Sequence, residues 1–192
     1  MKNKLYHELT DEELISRILQ DHQTDLYEIL FRRYQKKVMD KCYSLLKNRI
    51  QANEFTEDIL SKVYEKLSTF GRRSSFSSWL YTITYNHCID YLREKKYLHY
   101  PDWNRQNEIP EIIDNPQEDL PDINYENLSI ILDLIHPEEK AMLMMKYHDD
   151  LTMKEVAASL RISVDAAKMR LKRARTRVFY LYKKKFLDNK KH

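Results

Sequence analysis

Hydrophobic side chains recur along most of this chain at the spacing of α-helices. Between residues 26 and 46 an apolar side chain returns at every fourth position, which predicts one buried face of a long helix. These positions are Leu26, Leu30, Tyr34, Val38, Cys42 and Leu46. Thr10, followed by three acids, predicts the start of an earlier helix. A third helix is predicted from about Thr56 to Leu67 with Tyr64 facing inward, and a fourth begins near Phe76.

The C-terminal part repeats this periodicity in shorter segments. One helix is predicted through Leu128 and Ile135, and Pro137 suits the first turn of the next helix. The predicted interior of that next helix consists of Ala141, Leu143, Met144 and Tyr147. No alternating strand pattern is present, and a single glycine leaves few sites for hairpin turns. The pattern therefore predicts an all-α protein.

The segment between the two helical blocks has a different composition. Four of the five prolines lie between residues 101 and 121, and proline disfavours helix at its own position and at the preceding one. Residues 101–128 carry eight acidic side chains against one basic side chain, Arg105. We therefore predict two helical domains, at 1–99 and 125–192, joined by an acidic, proline-containing linker at 100–124.

The composition excludes several classes of protein. No apolar run is long enough to span a bilayer, and the N-terminus lacks the apolar stretch of a signal peptide. Two cysteines, Cys42 and Cys88, are too few for a disulfide framework, so we expect buried, reduced thiols in a cytosolic protein. No histidine pairs with another at ligand spacing, and no phosphate-binding glycine loop is present, so we expect no metal or other cofactor and no catalytic residue.

Residues 151–177 carry the most specific local pattern. Thr152 and Glu155 predict a capping box for a short helix, and Ser163 caps a longer basic helix that starts at Val164. Two capped helices separated by a short turn predict a C-terminal helix-turn-helix, whose second helix enters the major groove of DNA. The cationic side chains of this helix suit phosphates and guanine edges. They are Lys168, Arg170, Lys172, Arg173, Arg175 and Arg177.

Aromatic side chains are interleaved with cations around residues 70–86. Such a mixture suits stacking on unpaired bases, but it is equally typical of a helical core. We expect Phe76 and Trp79 to be core residues, and the pattern leaves Tyr81 and Tyr85 open.

Two other functions fit parts of the chain. An ordinary repressor or activator would bind duplex operator DNA without a polymerase, although it would not need the aromatic and basic segment 70–96. A metal nuclease could use Glu57, Asp58 and Glu65, which share a helix face by spacing. Exposed acids on a helix are far more often a solvated or partner-binding surface, so catalysis is the weaker alternative.

Four segments in this order resemble the extracytoplasmic-function sigma factors of the sigma-70 family. Residues 24–48 look like the first conserved helix of that family, and FTEDILSKVYEKLSTF (55–70) looks like its polymerase-docking helix. SSFSSWLYTITYNHCIDYLREKK (74–96) is similar to the segment that melts promoters and reads the −10 element. Residues 135–175 look like the domain that reads the −35 element.

The resemblance implies a sigma factor that directs bacterial core RNA polymerase to promoters and assists their opening. The implied partners are core polymerase, promoter DNA and an anti-sigma factor. The implied −35 contacts are Ser163, Asp165, Lys168, Met169, Arg170, Lys172, Arg173 and Arg175. The implied −10 contacts are Gly71, Arg72, Arg73, Ser74, Trp79, Asn86 and Arg93. The implied polymerase contacts are Glu57, Asp58, Ser61, Lys62 and Glu65. The acidic linker would run toward the RNA exit path.

This sequence departs from the family pattern at three places. Ser61-Lys62 stands where a Gln-Glu pair is usual, which shifts the expected polymerase contact toward the neighbouring acids. Arg161 stands where the turn usually has Gly, at a cost of about 1 kcal/mol for a left-handed residue. Asp165 opens the recognition helix, where it would repel a phosphate and accept from a cytosine amino group, so we expect an uncommon −35 preference.

Overall fold

A computed structural model describes residues 8–95, 104 and 124–188. The described residues form helices and no strands, which confirms the all-α prediction. The chain divides into two compact units, Met1–Tyr91 and Leu92–His192. The predicted linker lies outside the described residues except for Asn104 and Asn124.

Among the described residues, the first unit contains three α-helices and most of a fourth, whose last three residues belong to the second unit. They are α1 (Asp11–Gln20), α2 (Tyr27–Leu46), α3 (Arg49–Lys66) and α4 (Phe76–Glu94), with 3₁₀ turns at Thr24–Leu26 and Leu67–Thr69. Thr10 caps α1 in a full capping box with Glu13, whose carboxylate accepts from the Thr10 amide at 2.8 Å. This hydrogen bond lowers the pKa of Glu13. Helix α1 is fixed to α2 through Asp11, which accepts from Arg33 and Tyr34.

Helix α3 begins seven residues earlier than the sequence pattern predicted. Asn48 is its N-cap and accepts from the amides of Ile50 and Gln51 at 3.0 and 3.1 Å. Thr56, the predicted start, is buried within the helix, where its hydroxyl donates to the Ala52 carbonyl at 2.7 Å. A threonine that hydrogen-bonds back to the preceding turn is compatible with a helix interior.

The core of the first unit forms where α2, α3 and α4 meet. Its fully buried side chains include Val38, Cys42, Ile59, Val63, Leu80, Tyr85 and Cys88. The inward placement of Tyr64 was wrong, because its side chain is 42% exposed. Tyr64 lies at the edge of the α2–α3 contact rather than in the core. Its ring packs against that of Tyr27, with the ring centroids 4.8 Å apart.

The second unit contains α5 (Tyr125–Leu132), α6 (Pro137–Leu143), α7 (Met153–Leu160) and α8 (Val164–Tyr182). π-helical turns extend α6 over Met144–His148 and α8 over Lys183–Leu187. The inward placement of Tyr147 was also wrong, since its side chain is 58% exposed and Met142 and Met145 are buried instead. The wider π turn changes which side chains after α6 face inward, and this change cannot be read from a 3.6-residue period.

Candidate nucleic-acid interface

Helices α7 and α8 form the predicted helix-turn-helix. Thr152 and Glu155 make the predicted capping box, and the Ser163 hydroxyl accepts from the Ala166 amide at 3.1 Å. Arg161 has a left-handed backbone with φ 54° and ends α7, which confirms the conformation expected at this turn. Buried small and aliphatic side chains join the two helices: Val156, Ala157, Leu160 and Ala167.

One side of α8 is open to solvent over its first three turns. The exposed side chains are Ser163, Asp165, Lys168, Met169, Lys172, Arg173 and Arg175. Met169 is 58% exposed, and Lys168 Nζ lies 3.5 Å from Asp165 Oδ1. Four cations, one thioether and one carboxylate are thus exposed along this side of α8. This surface can present both hydrogen-bond donors and an apolar contact to DNA.

Arg170 lies on a different side of α8. Its guanidinium Nη1 is 3.0 Å from Glu138 Oε2, and its side chain is 21% exposed. One period of seven residues further on, Arg177 Nη1 is 2.6 Å from Glu139 Oε1, with both side chains buried. Arg177 Nη2 also donates to Asn104 Oδ1 at 3.0 Å. These arginines therefore fix α8 to the start of α6.

Most of the segment between Phe70 and Phe76 is exposed to solvent. Gly71, Arg72 and Arg73 are exposed, and Ser74 is half-buried. The left-handed residue here is Arg72, with φ 52°, and Gly71 has no positive φ. A Cβ built on Gly71 would have only the Arg73 Cγ nearby, at 4.0 Å, so the fold itself does not require glycine.

Three rings hold the two ends of this loop together. Phe70 and Phe76 are buried with ring centroids 5.7 Å apart, and each lies within 6 Å of the half-buried Trp79 ring. Tyr85 is a core residue, whereas Tyr81 is half-buried beneath Lys41, whose Nζ is 4.0 Å from the Tyr81 ring centroid. Packing therefore accounts for most of the aromatic excess, and Trp79 retains a solvent-facing part.

Two polar side chains follow Trp79 at seven-residue intervals on α4. Asn86 is half-buried, and its Oδ1 is enclosed without a hydrogen-bond partner among the described residues. Arg93 belongs to the second unit, where its Nε is 2.9 Å from Glu138 Oε1. Seven-residue spacing places Trp79 and Asn86 on one helix face.

An open groove of about 560 Å³ runs between α2 and α3 in the first unit. Its lining combines three aromatic rings, three carboxylates and two hydroxyls: Thr24, Asp25, Tyr27, Glu28, Phe31, Glu57, Ser61 and Tyr64. The Tyr27 hydroxyl donates to the Leu60 carbonyl, and burial raises the pKa of Tyr27. Glu57 and Ser61 were predicted partner contacts, but the aromatic part of the groove was missed. Tyr64 was predicted to face the core, and no local pattern singles out Tyr27.

The other three predicted polymerase contacts lie on the exposed surface of α3. Asp58, Lys62 and Glu65 all face solvent. Lys62 Nζ is 3.5 Å from Nδ1 of His87, and burial together with this ammonium group lowers the pKa of His87. Among the described residues, no group of three or more His, Cys, Asp or Glu side chains is placed to hold a metal ion. No helix in the described part of the chain is long and apolar enough to cross a membrane.

Comparison with known proteins matches two separate stretches of the chain. The sequence model for Sigma-70 region 2 matches residues 30–97, and the model for Sigma-70, region 4 matches residues 128–178. The ECF RNA polymerase sigma factor SigW of Bacillus subtilis is 27% identical over 169 residues, covering 81% of this chain and 86% of that protein. The ECF RNA polymerase sigma factor RpoE of Cereibacter sphaeroides is 26% identical over 178 residues, covering 88% and 93%.

Two solved structures share the fold. One is the sigma factor RpoE of Bartonella quintana in complex with the anti-sigma factor NepR, with a TM-score of 0.57, 19% identity, and coverage of 86% of this chain and 98% of that one. The other is CnrH in complex with the cytosolic domain of CnrY, with a TM-score of 0.60, 16% identity, and coverage of 91% and 98%. The two matched regions together cover more than half of the chain, and its relatives are named ECF RNA polymerase sigma factors. The chain therefore belongs to the extracytoplasmic-function RNA polymerase sigma factors of the sigma-70 family.

Proposed function

We propose that this chain directs bacterial core RNA polymerase to promoters through two separate DNA-reading surfaces, and that it does so without catalysing a reaction. The observation that carries this proposal is the exposed face of α8, which presents cations and Met169 in a capped helix-turn-helix. We assign polymerase and −10 binding to residues 1–99, a tether to 100–124 and −35 binding to 125–192.

The −35 element is read by the solvent-facing side of α8. Lys168 and Arg173 supply donors for guanine edges or phosphates, and Met169 supplies an apolar contact for a thymine methyl group. Asp165 at the first turn favours a cytosine amino group at the end of the site. Arg170 acts through Glu138 as a positioning residue, because the ion pair draws its guanidinium toward α6.

The −10 element is read by the loop from Gly71 to Ser74 and by one face of α4. Two exposed arginines attract the DNA backbone, and Trp79 offers a ring surface for an unpaired base. The enclosed Oδ1 of Asn86 has no hydrogen-bond partner in the described part of the chain, which suits an amide that reorients to bind a base edge.

The groove between α2 and α3 suits a helix of the polymerase. Tyr27, Phe31 and Tyr64 offer apolar contacts, and the surrounding carboxylates favour a basic partner surface. Glu57 and Ser61 line this groove, and we place Asp58, Lys62 and Glu65 on its periphery as rim contacts. The family usually has an acid where this chain has Lys62. The polymerase contact of this chain therefore differs in charge from the usual contact of the family.

We further propose that the chain acts in the cytoplasm and is held there by an anti-sigma factor. The support is the solved structure of Bartonella quintana RpoE, in which such a factor is bound. The acidic linker is then free to follow the RNA exit path of the polymerase once the anti-sigma factor dissociates.

Transcription from a promoter library with purified core polymerase and the full chain tests the proposal. Stable binding to core polymerase, with start sites that share two spaced elements, is the expected result. Salt-sensitive binding to duplex DNA without binding to core polymerase would favour a conventional helix-turn-helix regulator.

Two variants with the same change of charge test the −35 surface within that experiment. Arg173→Ala should reduce binding to the −35 element at least about fivefold, the effect of losing a base contact of about 1 kcal/mol or more. Lys184→Ala removes an exposed cation from the π-helical turn that follows α8 and should leave the preferred −35 sequence unchanged. Equal effects of the two substitutions would show that only net charge matters at this surface.

A further inference from the structure

The only two cysteines of the chain touch each other in the first unit. Cys42 lies on α2 and Cys88 on α4, both are completely buried, and both are free thiols. The Cys88 thiol donates to the Cys42 sulfur, with the Sγ atoms 3.7 Å apart. Forming a disulfide of about 2.05 Å requires the sulfurs to approach by about 1.7 Å, a displacement on the scale of a side-chain rotation with a small helix shift.

The two thiols differ in acidity. The hydrogen bond from Cys88 lowers the pKa of Cys42, and Thr56 contributes in the same direction. Donation to Cys42 and burial both raise the pKa of Cys88. Cys42 is therefore the sulfur that ionises first, and a thiolate is the form of cysteine that attacks an oxidant.

We propose that Cys42 and Cys88 form a redox-active dithiol, which a peroxide converts into an intramolecular disulfide between α2 and α4. The Cys42 thiolate attacks one peroxide oxygen and the O–O bond breaks, which gives a sulfenic acid and, after protonation, one water. The Cys88 sulfur then attacks the Cys42 sulfur and displaces hydroxide, which takes up the Cys88 proton and leaves as a second water. Two electrons pass from the thiols to each hydrogen peroxide.

Complete burial sets the rate of this reaction. Neither sulfur is exposed in the closed fold, so oxidation proceeds from locally opened molecules. Urea at concentrations below the unfolding transition should therefore accelerate disulfide formation severalfold. The same burial protects the finished disulfide from reduction.

The consequence for transcription rests on the function proposed above. Cys42 shares α2 with the groove residues Tyr27 and Phe31, and Cys88 lies two residues after Asn86 on α4. A disulfide would covalently join the helix of the polymerase groove to the helix that carries the −10 contacts. We expect the oxidised chain to bind core polymerase and −35 duplex normally and to open promoters at least fivefold more slowly.

Intact mass spectrometry of the full chain, treated with hydrogen peroxide and then unfolded with a thiol-blocking reagent, tests the chemistry without reference to DNA. The expected result is a monomer lighter by about 2 Da that dithiothreitol restores, since closing a disulfide removes two hydrogens. After trypsin, residues 42–47 and 74–93 should remain linked. A monomer with unlinked cysteines, carrying only added oxygen or blocking reagent, would overturn the proposal, and so would a disulfide found only between two chains.

Cys42→Ala and Cys88→Ala serve as matched controls, because neither can close the disulfide and each should lack the 2 Da loss. If a variant does not fold, the reversible mass change of the unaltered chain decides the chemistry by itself. Promoter opening is then measured with reduced and oxidised chain on one promoter. Equal opening rates with the disulfide present would overturn its regulatory effect. Failure of the reduced chain to support transcription would count against the proposed function, and the mass result would stand separately.

Discussion

The two candidate DNA-reading surfaces are held in place by different kinds of interaction. In the first unit, the loop from Gly71 to Ser74 is anchored by the neutral rings of Phe70, Phe76 and Trp79. In the second unit, α8 is held by two ion pairs with glutamates at the start of α6, and both glutamates are buried.

This difference determines which substitutions each surface tolerates. A neutral cluster accepts a change that approximately conserves volume, because only packing is altered. A buried ion pair does not accept the loss of one charge, because the remaining charge stays in a poorly solvated environment. A conservative substitution in the residues that hold α8 should therefore destabilise the −35 surface more than a conservative substitution in the aromatic cluster destabilises the −10 surface.

Glu139→Gln should have the largest effect. It keeps the shape of the side chain and removes the charge opposite Arg177, so we expect the free energy of unfolding of the second unit to fall by about 3–5 kcal/mol. Hydrogen exchange of the α8 amides in the full chain measures this loss. Glu126→Gln, at an exposed position of the same unit, is the control and should change little. Equal exchange in both variants would remove the contrast between the two surfaces.

Phe76→Leu should have a smaller effect of the same sign. Leucine fills much of the space of a ring that is 2% exposed, so a loss below about 1.5 kcal/mol is expected in the first unit. Exchange of the α4 amides reports this loss, and the −10 selectivity of the variant should remain. A loss of stability as large as that expected for Glu139→Gln would mean that the aromatic cluster and the ion pairs tolerate substitution equally poorly.

Arg161→Gly should stabilise the second unit. Glycine adopts the left-handed backbone without the steric strain of arginine, and its greater freedom in the unfolded chain offsets part of this gain. A net increase of up to about 1 kcal/mol in the free energy of unfolding is expected from chemical denaturation. The contrary result, a lower stability, would mean that side-chain contacts of Arg161 outweigh the backbone strain.

Gly71→Ala should leave stability unchanged. The added Cβ meets only a flexible arginine side chain at 4.0 Å, and φ is not positive. Any loss of −10 binding or promoter opening would then come from the close approach of a base to this backbone, as the proposed −10 contact of the Gly71–Ser74 loop requires. Melting temperature and single-strand −10 binding, measured side by side, separate these effects. Reduced stability without an effect on DNA would count against the assignment of Gly71.

Local signals allowed the helix-turn-helix to be predicted from the sequence. Capping by Thr152 and Ser163 and the left-handed Arg161 depend on residues within a few positions of each other, so a single sequence contains them. The early start of α3 was missed because the residues after Asn48 show no hydrophobic repeat: Ile50 is exposed and Ala52 is buried. The exposure of Tyr147 follows a π turn, which local composition does not signal.

The burial of Glu138 and Glu139 was also not predictable from the sequence pattern. Two acids after Pro137 look like ordinary first-turn charges that favour the helix dipole. Their partners, Arg170 and Arg177, lie more than thirty residues away and appear in the sequence as two more cations of a basic helix. Distinguishing a structural arginine from a DNA-reading arginine therefore requires the three-dimensional contact.

The separation of Arg170 from the exposed cations of α8 has a consequence for the evolution of promoter choice. Lys168, Met169 and Arg173 are exposed, whereas Arg170 and Arg177 pair with the glutamates of α6, so substitutions at 168, 169 and 173 should weaken the scaffold less than substitutions at 170 and 177. Under the function proposed above, promoter specificity and domain stability are encoded on different sides of one helix. Exchanging only the outward-facing residues should then change the −35 preference and leave the α6 ion pairs intact.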